Sequence, residues 1–243
     1  MKIFGLIGKN ISYSFSRKYF SEKFKAENID AVYKNFDLDT LDELKEVLKQ
    51  NPDIAGFNVT IPYKELIIPY LDELDPTARE IGAVNTIKRS ENGKLTGFNT
   101  DYFGFVNSLR PLLIGDHSHA LILGTGGASK AIAYGLKHLG IKYKFVSRDP
   151  DSNQLPYTSL GPEAFSKYTL IINCTPLGTS PEISSLPPIP VDYFTPRHVV
   201  YDLIYNPPIT RLMQLADDKG ARVKNGYQML ELQAQKSWEI WNS

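Results

Sequence analysis

The chain carries a single cysteine, Cys174. It can form no disulfide within itself, which fits a reducing, cytoplasmic compartment. Cys174 follows an apolar strand, where a packed small residue is expected rather than a nucleophile. Histidine is sparse too. Four histidines are scattered over 243 residues without metal-ligand spacing, so neither a metal site nor a catalytic histidine is expected. There is no charge excess: Lys and Arg number 27, as do Asp and Glu. No basic run is interleaved with aromatics, so neither nucleic acid nor a membrane surface is expected as a partner. No apolar run is long enough to span a bilayer. The first residues, Met1–Gly8, read as a short strand entering a glycine and lack the apolar core and cleavage site of a signal peptide. Repeats and low-complexity tracts are absent. What is present is length enough for one large or two small domains with their own cores.

Hydrophobic periodicity supplies the elements. Lys2–Gly8 predicts a strand. Ser16–Glu27 predicts a helix with Tyr19, Phe20 and Phe24 on one face, and Ala31–Leu38 a second strand. Leu38–Lys49 repeats Leu41, Leu44, Val47 and Leu48 at helical spacing. Ile54–Thr60 reads as a strand stopped by Pro62, and Glu65–Leu71 as a helix. Ala83–Arg89 and Leu95–Asp101 form a hairpin around Asn92-Gly93. Tyr102–Leu113 reads as a connecting helix. In the second half, Thr169–Cys174, His198–Tyr205 and Ala221–Gly226 are strands, the first followed by a proline-rich loop from Pro176 to Pro190. Thr210–Lys219 and Tyr227–Trp241 are helices. The alternation argues for a parallel-rich α/β protein.

Residues 121–149 are the most informative stretch. Ala120–Leu123 is an apolar strand, Gly124, Gly126 and Gly127 form a glycine-rich turn, and Ala128, Ala131, Ile132, Gly135, Leu136 and Leu139 follow at helical spacing up to Gly140. Glycines there let the backbone bend tightly and approach a pyrophosphate, while the amide groups of the following helix face the phosphates. The full G-x-G-x-x-G/A fingerprint fails at its last position, where Ser129 stands. The next strand, Lys142–Val146, ends in Ser147, Arg148 and Asp149, where such folds read the adenosine ribose. Arg148 suits the 2′-phosphate of NADP; Asp149 suits the 2′-hydroxyl of NAD, points to solvent, or begins a turn with Pro150. The expected architecture is a two-domain α/β protein with a cleft between its domains: residues 1–101 plus 226–243 as the substrate domain, and residues 102–225 as a Rossmann-type dinucleotide-binding domain.

These motifs, taken in order, resemble the shikimate dehydrogenase family along nearly the whole chain. The matching segments are Ser14-Phe15-Ser16, Asn58–Lys64, Ile81–Thr86, Asn99-Thr100-Asp101, Gly124–Ala128, Asn173–Pro176, Asp202–Pro207, and Met229-Leu230 with Gln233. The resemblance implies reversible, NADPH-dependent reduction of 3-dehydroshikimate to shikimate, on the route to aromatic amino acids. It implies Lys64 as acid/base and Asp101 as its partner. Ser14 and Ser16 would hold the substrate carboxylate, with Thr60, Asn85, Tyr205 and Gln233 contacting ring hydroxyls or carboxylate. Gly124, Gly126, Gly127 and Ala128 would approach the pyrophosphate, Ser147 and Arg148 would read the adenosine end, and Thr175, Leu203 and Gly226 would flank the nicotinamide side. A monomer or a homodimer is expected.

Elementary chemistry is compatible with these roles. Hydroxyls two apart in an extended segment project the same way and both donate to one carboxylate. An ammonium in a water-poor site can protonate an oxygen on which charge develops. Each residue has a plainer reading as well. The serines cap a helix, a lysine after a proline is a solvated charge, Asp101 is a helix N-cap, and Leu203 and Gly226 serve packing and turn geometry. The chain also departs from the family pattern. Tyr13 and Arg17 replace a His and a Pro, Phe20 and Ser21 stand where His-Asn is usual, Ser147 replaces an Asn, and Ser152 stands near the place of a second arginine. Two alternatives therefore remain: an NAD-linked quinate/shikimate dehydrogenase, which Asp149 permits, and a non-catalytic sensor of shikimate-like ligands or dinucleotide. Pure sensing does not require Lys64 and Asp101 together. A folate-linked dehydrogenase would not explain the paired serines and Gln233.

Overall fold

The structure, a computed structural model, describes residues 1–11, 14–115 and 117–243. Tyr13, one of the departures from the family pattern, lies outside the described residues. The chain divides into two units, Met1–Asp101 with Gln233–Ser243, and Tyr102–Leu232.

The first unit contains β1 (Lys2–Gly8), α1 (Phe15–Ala26), β2 (Ala31–Asp37), α2 (Leu44–Gln50), β3 (Ile54–Val59), α3 (Tyr63–Leu66), β4 (Glu73–Leu74), α4 (Pro76–Ile81), β5 (Thr86–Arg89) and β6 (Leu95–Phe98). Its six-stranded sheet runs β2-β1-β3-β5-β6-β4. β1 is parallel to both neighbours, and the expected hairpin is the antiparallel pair β5–β6. β1 is buried on both faces, and its alternation sorts its side chains. Ile3 and Ile7 pack with Leu41, Leu44, Phe57 and Tyr63, while Phe4 and Leu6 pack with Phe20, Phe24, Tyr33 and Trp241. Phe4 stacks on Trp241 with centroids 4.7 Å apart, and Phe20 on Tyr33 at 4.9 Å. Phe20 is therefore a core residue, which accounts for an aromatic at that departure.

Two helices differ from expectation. The segment expected to be helical from Leu38 begins at Leu41 as a 3-10 turn, because Thr40 and Glu43 form a capping box there. The helix expected over Glu65–Leu71 starts earlier, at Tyr63, whose hydroxyl donates to Leu38 O at 2.7 Å. It gives way to a 3-10 turn at Ile68–Tyr70, around Pro69.

The second unit is entered through α5 (Asp101–Leu109). It contains β7 (His119–Leu123), α6 (Gly127–His138), β8 (Lys142–Ser147), β9 (Leu155–Pro156), α7 (Pro162–Lys167), β10 (Leu170–Asn173), β11 (Val199–Asp202), α8 (Arg211–Asp217), β12 (Arg222–Asn225) and the start of α9 (Tyr227–Asn242). Its sheet is six-stranded, in the order β12-β11-β10-β7-β8-β9, and every pairing is parallel. Counted from β7, this is the doubly wound order 3-2-1-4-5-6, whose strand order reverses between β7 and β10. β10 and β11 are buried throughout, as parallel strands covered on both faces must be. A Cβ at Gly135 would lie 2.9 Å from the Phe105 ring, so the glycine lets α6 approach α5. The chain returns to the first unit at Gln233 rather than at residue 226. Met229 belongs to the second core, with Phe105, Leu136 and Tyr201, and holds the first turns of α9 there. Among the described residues no helix is long and apolar enough to cross a membrane, and no group of His, Cys, Asp and Glu could hold a metal ion.

Candidate active site

In the first unit the candidate residues gather beyond the carboxyl ends of β1 and β3. Thr60 follows β3; its amide donates to Ile7 O and its carbonyl accepts from Tyr63 N. That turn starts α3 and sets Lys64 on it. Lys64 O accepts from Val84 N at 2.7 Å, which ties α3 to the loop before β5. The Lys64 ammonium donates to Asp101 Oδ2 at 2.7 Å, with side chains only 16% and 8% exposed. Asp101 opens α5, where the helix dipole favours a carboxylate. Asn99 fixes that start: its Oδ1 accepts from Asp101 N and its Nδ2 donates to Ala83 O. The pair is thus a mostly buried, oriented ion pair, not a solvated lysine.

Asn85 and Gln233 meet beside this pair's backbone. Asn85 Oδ1 accepts from Thr100 N at 2.7 Å, and its Nδ2 donates to Thr100 Oγ1 at 3.0 Å and to Gln233 Oε1 at 3.4 Å. The serines do not lie on one extended segment. Ser14 is the extended N-cap of α1, accepting from Arg17 N at 3.1 Å, and Ser16 is already inside the helix. Ser14 keeps its own hydroxyl proton to donate. Tyr33, on β2, is a buried phenol pushed above its ordinary pKa by desolvation. Tyr205 belongs to the second unit and lies 37% exposed, its pKa raised by partial burial.

In the second unit the glycine-rich turn sits at the switch point between β7 and β10. Gly124 has φ of 95°, a conformation that favours glycine, and a Cβ there would lie 3.1 Å from Thr175 Cγ2. Gly126 is the N-cap of α6. No side chain caps that end, and a Cβ on Gly126 would meet nothing within 4 Å. The open approach and the uncapped amides at Gly127 and Ala128 suit a pyrophosphate. At the last fingerprint position Ser129 folds back: it is buried, and its Oγ donates to Gly126 O at 2.6 Å. Ser147 and Arg148 end β8, and Ser147 Oγ accepts from Asp149 N at 3.3 Å. Arg148 and Asp149 are exposed. Thr175 is oriented by Asn173, whose Oδ1 accepts from its amide and hydroxyl at 3.0 and 2.7 Å. A Cβ at Gly226 would collide with Leu203 O, so glycine is required there for close backbone packing. Burial pushes the Cys174 thiol up, with the Asp202 carboxylate adding to the shift, which fits a packed residue.

Tyr33 and Ser237 were not singled out by sequence, and Asn58 and Thr100 stood inside matching segments without a role of their own; all four belong to the hydrogen-bond network around Asn85 and Gln233. The available signals were a polar Asn58 inside an apolar strand, and the spacing of Ser237 one helical turn after Gln233.

The chain matches the family description "Shikimate dehydrogenase substrate binding domain" over residues 6–87. It is similar to the shikimate dehydrogenase (NADP(+)) of Clostridium botulinum, 40% identical over 248 residues that cover 98% of this chain and 95% of the relative. It is also similar to the structure of shikimate 5-dehydrogenase from Thermus thermophilus in complex with NADP(H) and shikimate, with a TM-score of 0.87, 30% identity, and coverage of 99% and 93%. Quinate dehydrogenase from Corynebacterium glutamicum, in complex with NAD, gives a TM-score of 0.88 at 25% identity, again covering 99% and 93%. Sheet order and glycine-rich switch point, together with these relatives, define a two-domain α/β oxidoreductase with a Rossmann-type unit. The chain belongs to the shikimate dehydrogenase family.

Proposed function

We propose that this protein catalyses the reversible reduction of 3-dehydroshikimate to shikimate with NADPH. The Lys64–Asp101 pair carries this reading. It is what carbonyl reduction needs, a donor N–H held in a largely enclosed site, and a pure binding protein would have no use for it. The Clostridium botulinum relative, by name NADP-linked, supports the cofactor and the reaction.

When bound, NADPH supplies the hydride. Lys64 Nζ gives a proton to the oxygen on which charge develops, and takes it back in the oxidation direction. Asp101 holds the ammonium in line and accepts a hydrogen bond from a ring hydroxyl. Asn85, Thr60, Gln233 and Tyr205 pair with the remaining hydroxyls or the carboxylate, because each unpaired polar group in a closed site costs about 1–3 kcal/mol. Ser14 and Ser16 hold the carboxylate, and Arg17, exposed on the first turn of α1, adds a positive charge at that end. Gly124, Gly126, Gly127 and Ala128 cradle the pyrophosphate, Ser147 and Arg148 take the adenosine end, and Thr175, Leu203 and Gly226 flank the nicotinamide. We place the enzyme in the cytoplasm, as a monomer or homodimer, on the route to aromatic amino acids.

Incubation with shikimate and NADP should yield 3-dehydroshikimate and NADPH in equal amounts. NADPH formed without a dehydrogenated product, or from NADP alone, would exclude the reaction. Asp149 beside Arg148 favours a second reading, NAD-linked oxidation of quinate as well as shikimate, and the likeness to the NAD-bound quinate dehydrogenase keeps it in play.

A further inference from the structure

A buried hydrogen-bond lattice underlies the candidate substrate residues of the first unit. Tyr33 OH donates to Asn58 Oδ1 at 2.8 Å. With the phenol donating there, Asn58 Nδ2 points the other way. It donates to Ser237 Oγ at 3.0 Å and lies 3.3 Å from both Thr86 Oγ1 and Asn85 O. Ser237 Oγ donates to Gln233 O at 2.9 Å, one turn back along α9. It also lies 2.8 Å from Thr86 Oγ1 and 3.2 Å from Thr100 Oγ1. These hydroxyls reach Asn85 Oδ1 at 3.1 Å from Thr86 and 3.2 Å from Thr100. Every one of these side chains is buried.

The lattice has a fixed polarity at one point. Thr100 N can only donate, so Asn85 Oδ1 is its acceptor. Asn85 Oδ1 is then saturated by backbone and hydroxyl donors, and its NH2 is the end left to engage a ligand. Its present bond to Gln233 Oε1, at 3.4 Å, is the longest it makes and the cheapest to exchange. Lys64 and Asp101 are anchored separately, through Val84 and Asn99.

We propose that Tyr33, Asn58 and Ser237 are positioning residues that act through Thr86, Thr100 and the Gln233 carbonyl to hold Asn85 and Gln233 in place for substrate, so that they govern substrate affinity rather than the proton-transfer step. The inference rests on the reading of Asn85 and Gln233 as substrate contacts. Tyr33→Phe and Ser237→Ala each remove one hydroxyl and almost no volume. Each should raise the KM for shikimate about tenfold, the worth of one buried amide hydrogen bond, while kcat stays within about threefold. Ser108→Ala is the control. It removes another buried hydroxyl contact, 2.6 Å from Tyr201 OH in the second unit, and should lower the melting temperature without moving KM. Side-chain amide exchange followed by NMR gives a readout independent of turnover. The Asn58 and Asn85 NH2 protons should exchange slowly in the wild-type chain and rapidly in both variants. An unchanged KM in both variants, or a KM raised equally by Ser108→Ala, would overturn the proposal. If the wild-type chain does not turn over shikimate, the proposed activity falls and amide exchange decides the lattice alone: protection lost in both variants upholds it, and fast exchange in the wild type overturns it.

Discussion

Replacing Lys64 by methionine removes the proposed proton donor and keeps most of the side-chain volume. Loss of a positioned general acid costs about 10²–10⁴-fold in rate, or about 3–5 kcal/mol in the barrier. The proposed substrate contacts through Asn85, Thr60 and Gln233 are untouched, so KM should change little while kcat falls. The fold should survive with a measurable penalty. Breaking a buried ion pair by removing one partner costs about 3–5 kcal/mol. Here the residual charge, Asp101, sits in the first turn of α5, where the dipole recovers up to about 1 kcal/mol. The expected loss is about 2–5 kcal/mol, or about 4–20 °C in melting temperature for a chain of this size. The assay is nicotinamide absorbance with saturating shikimate, well below the variant's melting point, with calorimetry alongside. A folded Lys64→Met variant whose kcat stays within about tenfold of the wild type would remove Lys64 from the mechanism.

Arg148→Ala should weaken NADPH binding about 10–100-fold, the worth of a charge-assisted hydrogen bond, and leave NADH binding nearly unchanged; equal losses measured by titration would show that Arg148 does not read the 2′-phosphate. Gly226→Ala places a methyl group against Leu203 O and should cost about 1–3 kcal/mol by overpacking; an unchanged melting temperature would show that the backbone yields there freely. His198 is buried, with Nδ1 3.0 Å from Thr195 N and Nε2 3.0 Å from Phe165 O. Desolvation and the nearby Arg197 charge lower its pKa from the ordinary 6.5, against the pull of its backbone contacts. The unfolded chain then binds the proton first, so stability is complete above pH 6.5 and falls as pH drops through that value toward the lower folded-state value, with a slope of at most about 1.4 kcal/mol per pH unit. Melting curves from about pH 8 to about pH 5 should show that decline, and His198→Gln should flatten it; an identical decline in the variant would assign it to other groups.

Much of this molecule was legible in its sequence, and the parts that were not share a cause. The β7–α6–β8 unit announced itself because a strand buried on both faces is a continuous apolar run, and because the turn at Gly124 needs a positive φ. The hairpin β5–β6 was marked by Asn92-Gly93. β4 and β9 carried no such signal: each spans only two residues at a sheet edge, too short for any periodicity. The start of α3 was set by tertiary contact, through the Tyr63 hydroxyl on Leu38, and the return point of α9 by the packing of Met229. Lys64 and Asp101 were nominated by motif, but only the fold brings them within 2.7 Å. Tyr33 and Ser237 were invisible because a polar atom in an apolar helix or strand looks like an exposed position until its partners, far away in sequence, are known.

The central claim is a dehydrogenase acting on shikimate with NADP. The most direct test is kcat/KM for oxidation of shikimate and of quinate, each with NADP and with NAD. The account predicts that shikimate with NADP exceeds every other combination. Comparable or faster turnover of quinate, or of either substrate with NAD, would contradict it and turn attention from Arg148 to Asp149.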